Sequence, residues 1–139
     1  MLGVVLVTHS DFGEALLRAA EGILGDQEGC LSISVNNQQS MQEMFEAIES
    51  GVKEVDTGEG VIILTDMFGG TPSNLSLSLL KTARIEVISG ANMPMLLKIL
   101  GLREIPLDQL ALEAKTAGRQ GIVVAGEVLK RKVGKKSGV

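Results

Sequence analysis

The sequence has few of the residues that build metal, redox and base-stacking sites. One Cys and one His among 139 residues allow no internal disulfide, no CxxC pair and no two-histidine zinc motif, so we predict neither a metal nor a cofactor. There is no Trp and no Tyr, and three Phe are few for the stacking surfaces that bind single-stranded nucleic acid. No apolar run reaches the roughly 18 residues of a membrane span, and no charged region precedes the apolar stretch at residues 1–7. We therefore expect a cytoplasmic protein that does not insert into a membrane.

Charge is unevenly distributed along the chain. The formal net charge is −4, but five of the thirteen basic residues lie in the last ten positions, so the remainder is strongly acidic. An acidic body repels nucleic acid.

A length of 139 residues fits one domain. We predict a single domain over residues 1–129, followed by a basic, flexible tail over residues 130–139.

Apolar runs of strand length alternate with helical periodicity, which is typical of an α/β fold with an open, mainly parallel sheet and helices on both faces. The first and third runs are apolar throughout and should be central, whereas the second alternates with Ser and should lie at an edge. This predicts the strand order 2-1-3-4. Residues 11–14 resemble a capping box at the first helix, with Asp11 as its first member. The predicted strands span residues 2–7, 31–35, 61–64 and 85–88, with a possible fifth over 122–124.

His9 and Asp66 follow the first and third strands. Parallel order 2-1-3-4 places the carboxyl ends of these strands together where the sheet reverses direction, which is where open α/β sheets bind ligands. A lone His is more often a turn residue than a catalyst, and Asp66 alone reads as a loop-capping acid. Together they favour catalysis, because Asp66 can fix the tautomer of His9 and leave its other ring nitrogen free as a nucleophile.

A glycine-rich turn, Gly69-Gly70-Thr71-Pro72-Ser73, precedes the third predicted helix. Free backbone N–H groups at a helix start bind phosphate, so we predict Gly69, Gly70, Thr71 and Ser73 as phosphate-binding residues. An ordinary turn with Thr71 as the helix cap is about as plausible for this segment taken alone. The loop lacks the spacing and Lys of nucleotide-binding motifs. With His9 and Asp66, it suits transient phosphorylation of His9.

Three segments resemble the IIA component of mannose-family sugar phosphotransferase systems. They are LVTH at residues 6–9, DMFGGTPSN at 66–74 and GANMPML at 90–96. The resemblance reaches about Val124 and implies a phosphotransferase in which His9 accepts a phosphoryl group from HPr and passes it to a separate IIB component, with Asp66 orienting the ring. The resemblance also implies a role in sugar uptake or its regulation. The family's fold further implies a homodimer that exchanges an antiparallel fifth strand.

Three other classes remain open from the residues. A receiver-type signalling domain would be phosphorylated on Asp66, but it needs an acidic pair after the first strand to hold magnesium, and the chain offers His9 and only Asp11. A phosphocarrier that feeds a dihydroxyacetone kinase would share the fold and His9 but differ at residues 66–72. A catalytically silent binding module is the third.

Overall fold

Strands and helices alternate along the first two thirds of the chain. The structure is a computed structural model that describes residues 1–80 and 84–137. The strands are β1 (Gly3–His9), β2 (Cys30–Val35), β3 (Val61–Thr65) and β4 (Ile85–Ser89). The helices are α1 (Phe12–Leu24), α2 (Met41–Val55), α3 (Thr71–Leu77), α4 (Met93–Gly101), α5 (Leu107–Gln120) and α6 (Ala125–Ser137).

The four strands form one parallel sheet in the order β2-β1-β3-β4, which confirms the predicted order and the predicted fold class. All of β3 is buried, as is β1 up to its last residue, because helices cover both faces of the central strands. One apolar cluster packs α1, α4 and α5 against one face. A second packs α2 and α3 against the other.

The start of α1 differs from the prediction. Asp11 is the N-cap residue, but its backbone is not extended (φ −96°, ψ 13°) and its side chain makes no capping hydrogen bond. Instead the buried Thr8 hydroxyl accepts a hydrogen bond from the Gly13 backbone N–H at 2.8 Å. The predicted capping box is therefore wrong, because β1 itself supplies the cap.

The segment after α5 does not form a strand within the chain's own sheet. Residues 122–124 have no regular structure, and Ile122, Val123 and Val124 are exposed. Helix α6 follows, so the boundary expected after residue 129 falls inside a helix. Exchange of a fifth strand with a second chain, and flexibility of the basic tail, stay predictions; residues 138–139 lie outside the described residues. No helix in the described ranges is long and apolar enough to cross a membrane.

Arg103 links two chain segments at the amino-terminal edge of the sheet. Its side chain is buried and donates hydrogen bonds to three backbone carbonyls, those of Leu2 (2.9 and 2.8 Å), Gly29 (3.1 Å) and Glu28. Those carbonyls belong to the segments that lead into β1 and β2. Without the guanidinium, the buried Leu2 carbonyl would lose two charged donors, and the carbonyls of Gly29 and Glu28 would lose one each.

We expect Arg103→Met to lower the free energy of unfolding by about 2–4 kcal/mol, because its charged hydrogen bonds are lost, two of them to the buried Leu2 carbonyl. Urea denaturation followed by circular dichroism measures the loss. Arg18→Met, at an exposed position of α1, is the matched control and should change the free energy by less than about 0.5 kcal/mol. Equal losses in the two variants would contradict the structural role of Arg103.

Candidate functional site

The candidate site lies at the carboxyl edge of the sheet, where β1 and β3 end side by side. Val7 pairs with Thr65 across these parallel strands. His9 ends β1 and Asp66 follows β3 directly, so the register brings both to the same edge. This is the reversal point that the predicted strand order implied.

His9 and Asp66 are joined by two hydrogen bonds. One carboxylate oxygen, Oδ2 of Asp66, accepts from the backbone N–H of His9 at 3.0 Å and lies 2.8 Å from its ring atom Nδ1. The other oxygen accepts from the Met67 backbone N–H at 3.0 Å. A carboxylate partner keeps a proton on Nδ1, so Nε2 is the ring nitrogen whose lone pair can act as a nucleophile. The His9 side chain is 49% exposed, so the ring that carries Nε2 is accessible from solvent.

Asp66 is held as a carboxylate. Partial burial would raise the pKa of its carboxyl group, but the hydrogen bonds from the His9 backbone and ring outweigh burial and hold the pKa below its ordinary value of 3.8. A lowered pKa in the folded state stabilises the fold above pH 3.8, and this contribution is lost as the pH falls through the folded-state pKa. At neutral pH the site therefore carries a fixed negative charge beside the ring.

The glycine-rich turn approaches the His9 ring closely. A Cβ atom on Gly70 would lie 3.1 Å from Cε1 of His9, so a side chain there would press on the ring. Gly69 has φ +86°, a conformation that glycine adopts without strain. Gly70 is the N-cap of α3 and Thr71 its first residue, so the reading of Thr71 as the cap is wrong. Thr71 instead lines a cavity together with His9.

Ser73 has a different environment from the other predicted phosphate-binding residues. Its side chain is fully buried, and its hydroxyl lies 3.4 Å from that of Ser89, which accepts a hydrogen bond from Thr65 at 2.7 Å. These hydroxyls connect α3 to the ends of β3 and β4. Ser73 can therefore contact an anion at the site only through its backbone N–H.

The cavity at the site has a volume of about 260 Å³ and a mixed lining. The amides of the loop between β2 and α2 were missed as site residues, although four consecutive amides follow a strand that ends at the same edge. That run is the signal that could have found them. The lining residues are His9, Val35, Asn36, Asn37, Gln39, Met41, Met44 and Thr71.

Large apolar side chains surround the site and face solvent. Met67 and Phe68 follow Asp66 and are 55% and 74% exposed, and Phe12 at the start of α1 is 44% exposed. Met41, which also lines the cavity, is 58% exposed. Exposed apolar residues gathered around one reactive group are typical of a surface that docks another protein.

Comparisons with known proteins agree with the fold. The profile of the EIIA-man family, described as "PTS system fructose IIA component", matches residues 3–114. The fructose-specific EIIA component of the Bacillus subtilis PTS is 29% identical over 94% of this chain and 91% of its own length. The mannose-specific EIIAB component of Escherichia coli K12 is 33% identical over 87% of this chain, which spans 38% of that longer protein.

A solved structure gives the same result. The crystal structure of the phosphotransferase system component EIIA from Streptococcus agalactiae superposes with a TM-score of 0.83 at 29% identity, covering 91% of this chain and 99% of that one. The family match and the fold identify a IIA component of a phosphotransferase system. The chain belongs to the EIIA-man family, which confirms the resemblance in its sequence motifs.

We expect the pKa of Asp66, followed by NMR titration of its carboxyl carbon, to lie below 3.8 and to rise in His9→Ala. That substitution removes the ring hydrogen bond and the ring charge, both of which lower the pKa, but keeps the backbone N–H. Phe68→Ala, an exposed neighbour on the same loop, is the control and should leave the titration unchanged. An identical Asp66 titration in wild type and His9→Ala would contradict the coupling.

Proposed function

We propose that this chain is a cytoplasmic phosphocarrier of a sugar phosphotransferase system, which accepts a phosphoryl group on His9 from HPr and passes it to a IIB component. The observation that carries the proposal is the His9 ring, with Nδ1 hydrogen-bonded to Asp66 and Nε2 available in an exposed ring. Membership of a family of phosphotransferase system IIA components supports the same conclusion.

In the proposed transfer, the Nε2 lone pair of His9 attacks the phosphorus of a phosphohistidine donor. The Nε2–P bond forms as the donor N–P bond breaks, and the electron pair of that bond returns to the donor ring. No proton needs to leave His9, because the Nδ1 proton stays on the hydrogen bond to Asp66. The positive charge that develops on the ring is balanced by the adjacent carboxylate. The second transfer reverses these steps toward the acceptor.

The glycine-rich turn is proposed to hold the phosphoryl group on His9. Gly70 approaches the ring side that carries Cε1 and Nε2, and the first backbone N–H groups of α3 have no partner within the helix. Gly69 and Gly70 allow the close approach, Thr71 adds a hydroxyl beside the cavity, and Ser73 contributes its backbone N–H. These donors stabilise a phosphoryl group without a metal ion.

We also propose a homodimer in which residues 122–124 are exchanged. These three residues are apolar and exposed, and a groove of about 400 Å³ runs beside the edge strand β4. The groove is lined partly by Phe68, Val87 and Leu112. An apolar extended segment from a second chain would cover this groove and the unpaired edge of β4.

We expect Asp66→Asn to slow phosphorylation of His9 by about 10- to 150-fold, because one charged hydrogen bond is worth roughly 1.5–3 kcal/mol. The measurement is the initial rate of labelling from phosphoenolpyruvate, enzyme I and HPr, with His9→Ala as the unlabelled control. The label should be acid-labile and alkali-stable, as phosphohistidine is. Label that persists in His9→Ala would show that His9 is not the phosphorylated residue. An unchanged rate in Asp66→Asn would show that Asp66 is only an acidic loop residue.

Analytical ultracentrifugation tests the dimer. The full chain and a chain that ends at residue 129 should both sediment as dimers, because both keep residues 122–124. A chain that ends at residue 121 should be monomeric or aggregate, since the β4 edge loses its cover. A full chain that sediments as a monomer at micromolar concentration would contradict the exchanged dimer.

A further inference from the structure

Phe68 belongs to two surfaces of the molecule. It is the second residue after Asp66, in the loop that joins β3 to α3 at the His9 site. Its side chain also lines the groove of about 400 Å³ beside β4, together with Val87 and Ser89 of that strand and Leu112 of α5. The groove therefore starts at the loop next to His9 and continues along the edge strand of the sheet.

The loop of residues 67–70 is held by hydrogen bonds at its two ends. The Met67 backbone N–H donates to Asp66 at 3.0 Å, and the Asn74 backbone N–H donates to the Gly70 carbonyl at 2.9 Å. Between these ends lies Phe68, whose side chain is exposed. A cover over this side chain would therefore restrain the middle of the loop, two residues before the Gly70 that lies against the His9 ring.

Residues 122–124 of a second chain suit this groove. Among the residues that the structure describes, Ile122, Val123 and Val124 are exposed and follow α5 without joining the chain's own sheet. All three are β-branched, which favours an extended strand, and the edge strand β4 offers backbone groups with which such a strand can pair. Each copy carries both the segment and the groove, so two copies can cover each other in a two-fold dimer.

We propose that the segment of a second copy packs on Phe68 and holds the loop of residues 67–70 against His9, so that each phosphorylation site is complete only in the dimer. The inference rests on the proposed phosphocarrier function and the proposed exchange, and it makes the exchange a requirement of the chemistry. Phe68 is then a positioning residue that acts through Gly70, whose backbone lies beside the His9 ring. A loop fixed in advance offers its backbone N–H groups to a phosphoryl group without rearranging during transfer.

Tryptophan fluorescence tests the contact, because the chain has no Trp or Tyr of its own. Phe68→Trp should emit at shorter wavelength than the double variant Phe68→Trp/Val123→Asp, in which a carboxylate on the segment prevents its burial in the apolar groove. Ile23→Trp, at an exposed position of α1 outside the groove, is the control and should emit alike with and without Val123→Asp. Equal emission from the two Phe68→Trp proteins would overturn the contact.

Labelling of His9 from phosphorylated HPr tests the effect on the site. Val123→Asp should be monomeric and take label about 10-fold more slowly than the wild type, because a misplaced loop loses transition-state contacts. Ile23→Asp places the same charge outside the groove and should label within about 2-fold of wild type. An excess of the His9→Ala chain, which takes no label itself, should restore the rate of Val123→Asp, because it donates an intact segment to its partner's groove.

The results of these experiments distinguish the inference from the proposals on which it rests. A monomeric Val123→Asp chain that labels at the wild-type rate, or that His9→Ala does not rescue, would overturn the dependence of the site on the partner and leave the phosphocarrier function intact. A wild-type chain that is labelled as a monomer, or a Val123→Asp chain that stays dimeric, would contradict the exchange and the inference together. A wild-type chain that takes no label would contradict the proposed function, and the inference with it.

Discussion

The parallel pairing of β1 with β3 is the constraint on which the site depends. With Val7 opposite Thr65, the two strands deliver His9 and Asp66 to one edge at hydrogen-bond distance. A slip of one residue would turn every side chain of a strand to the opposite face and separate this pair. Both strands are buried on both faces, so such a slip would move their side chains into the wrong core. The packing of the core therefore sets the geometry of a pair that is itself partly exposed.

Small residues and hydroxyls complete the site where backbone segments approach each other. Gly70 allows the start of α3 to lie against the His9 ring, and Gly13 fits between the side chains of Thr8 and Ser32 at the start of α1. The buried Thr8 hydroxyl then replaces the cap that Asp11 does not provide. The side chain of Asp11, although this residue is the N-cap, therefore makes no capping hydrogen bond and stays exposed next to the site.

Much of this arrangement could be predicted from the sequence because it follows from burial and from strand ends. The apolar character of residues 61–64 and the alternation at 31–35 indicated the strand order, and that order put His9 beside Asp66. The cap from Thr8 could not be predicted, since it depends on the angle at which the chain leaves β1. The sequence also did not predict that Gln39 lines the cavity, because a polar run after an edge strand looks like any solvated loop. Residues 122–124 have strand-like character, but whether they pair depends on a surface outside the chain's own sheet.

The charges around His9 suit a residue that carries a phosphoryl group transiently better than one that stores it. Asp66 lies on the Nδ1 side of the ring, where its negative charge would stabilise the cationic ring that the proposed phosphorylation forms. On the cavity side the available donors are backbone N–H groups, a hydroxyl and amides, and none of the described lining residues is a Lys or an Arg that could neutralise a phosphoryl group. A Lys or Arg there would stabilise the phosphorylated state and so raise the barrier to onward transfer. In the proposed transfer, the carboxylate would therefore assist formation of the N–P bond through the ring, while the uncharged cavity would leave that bond easy to break.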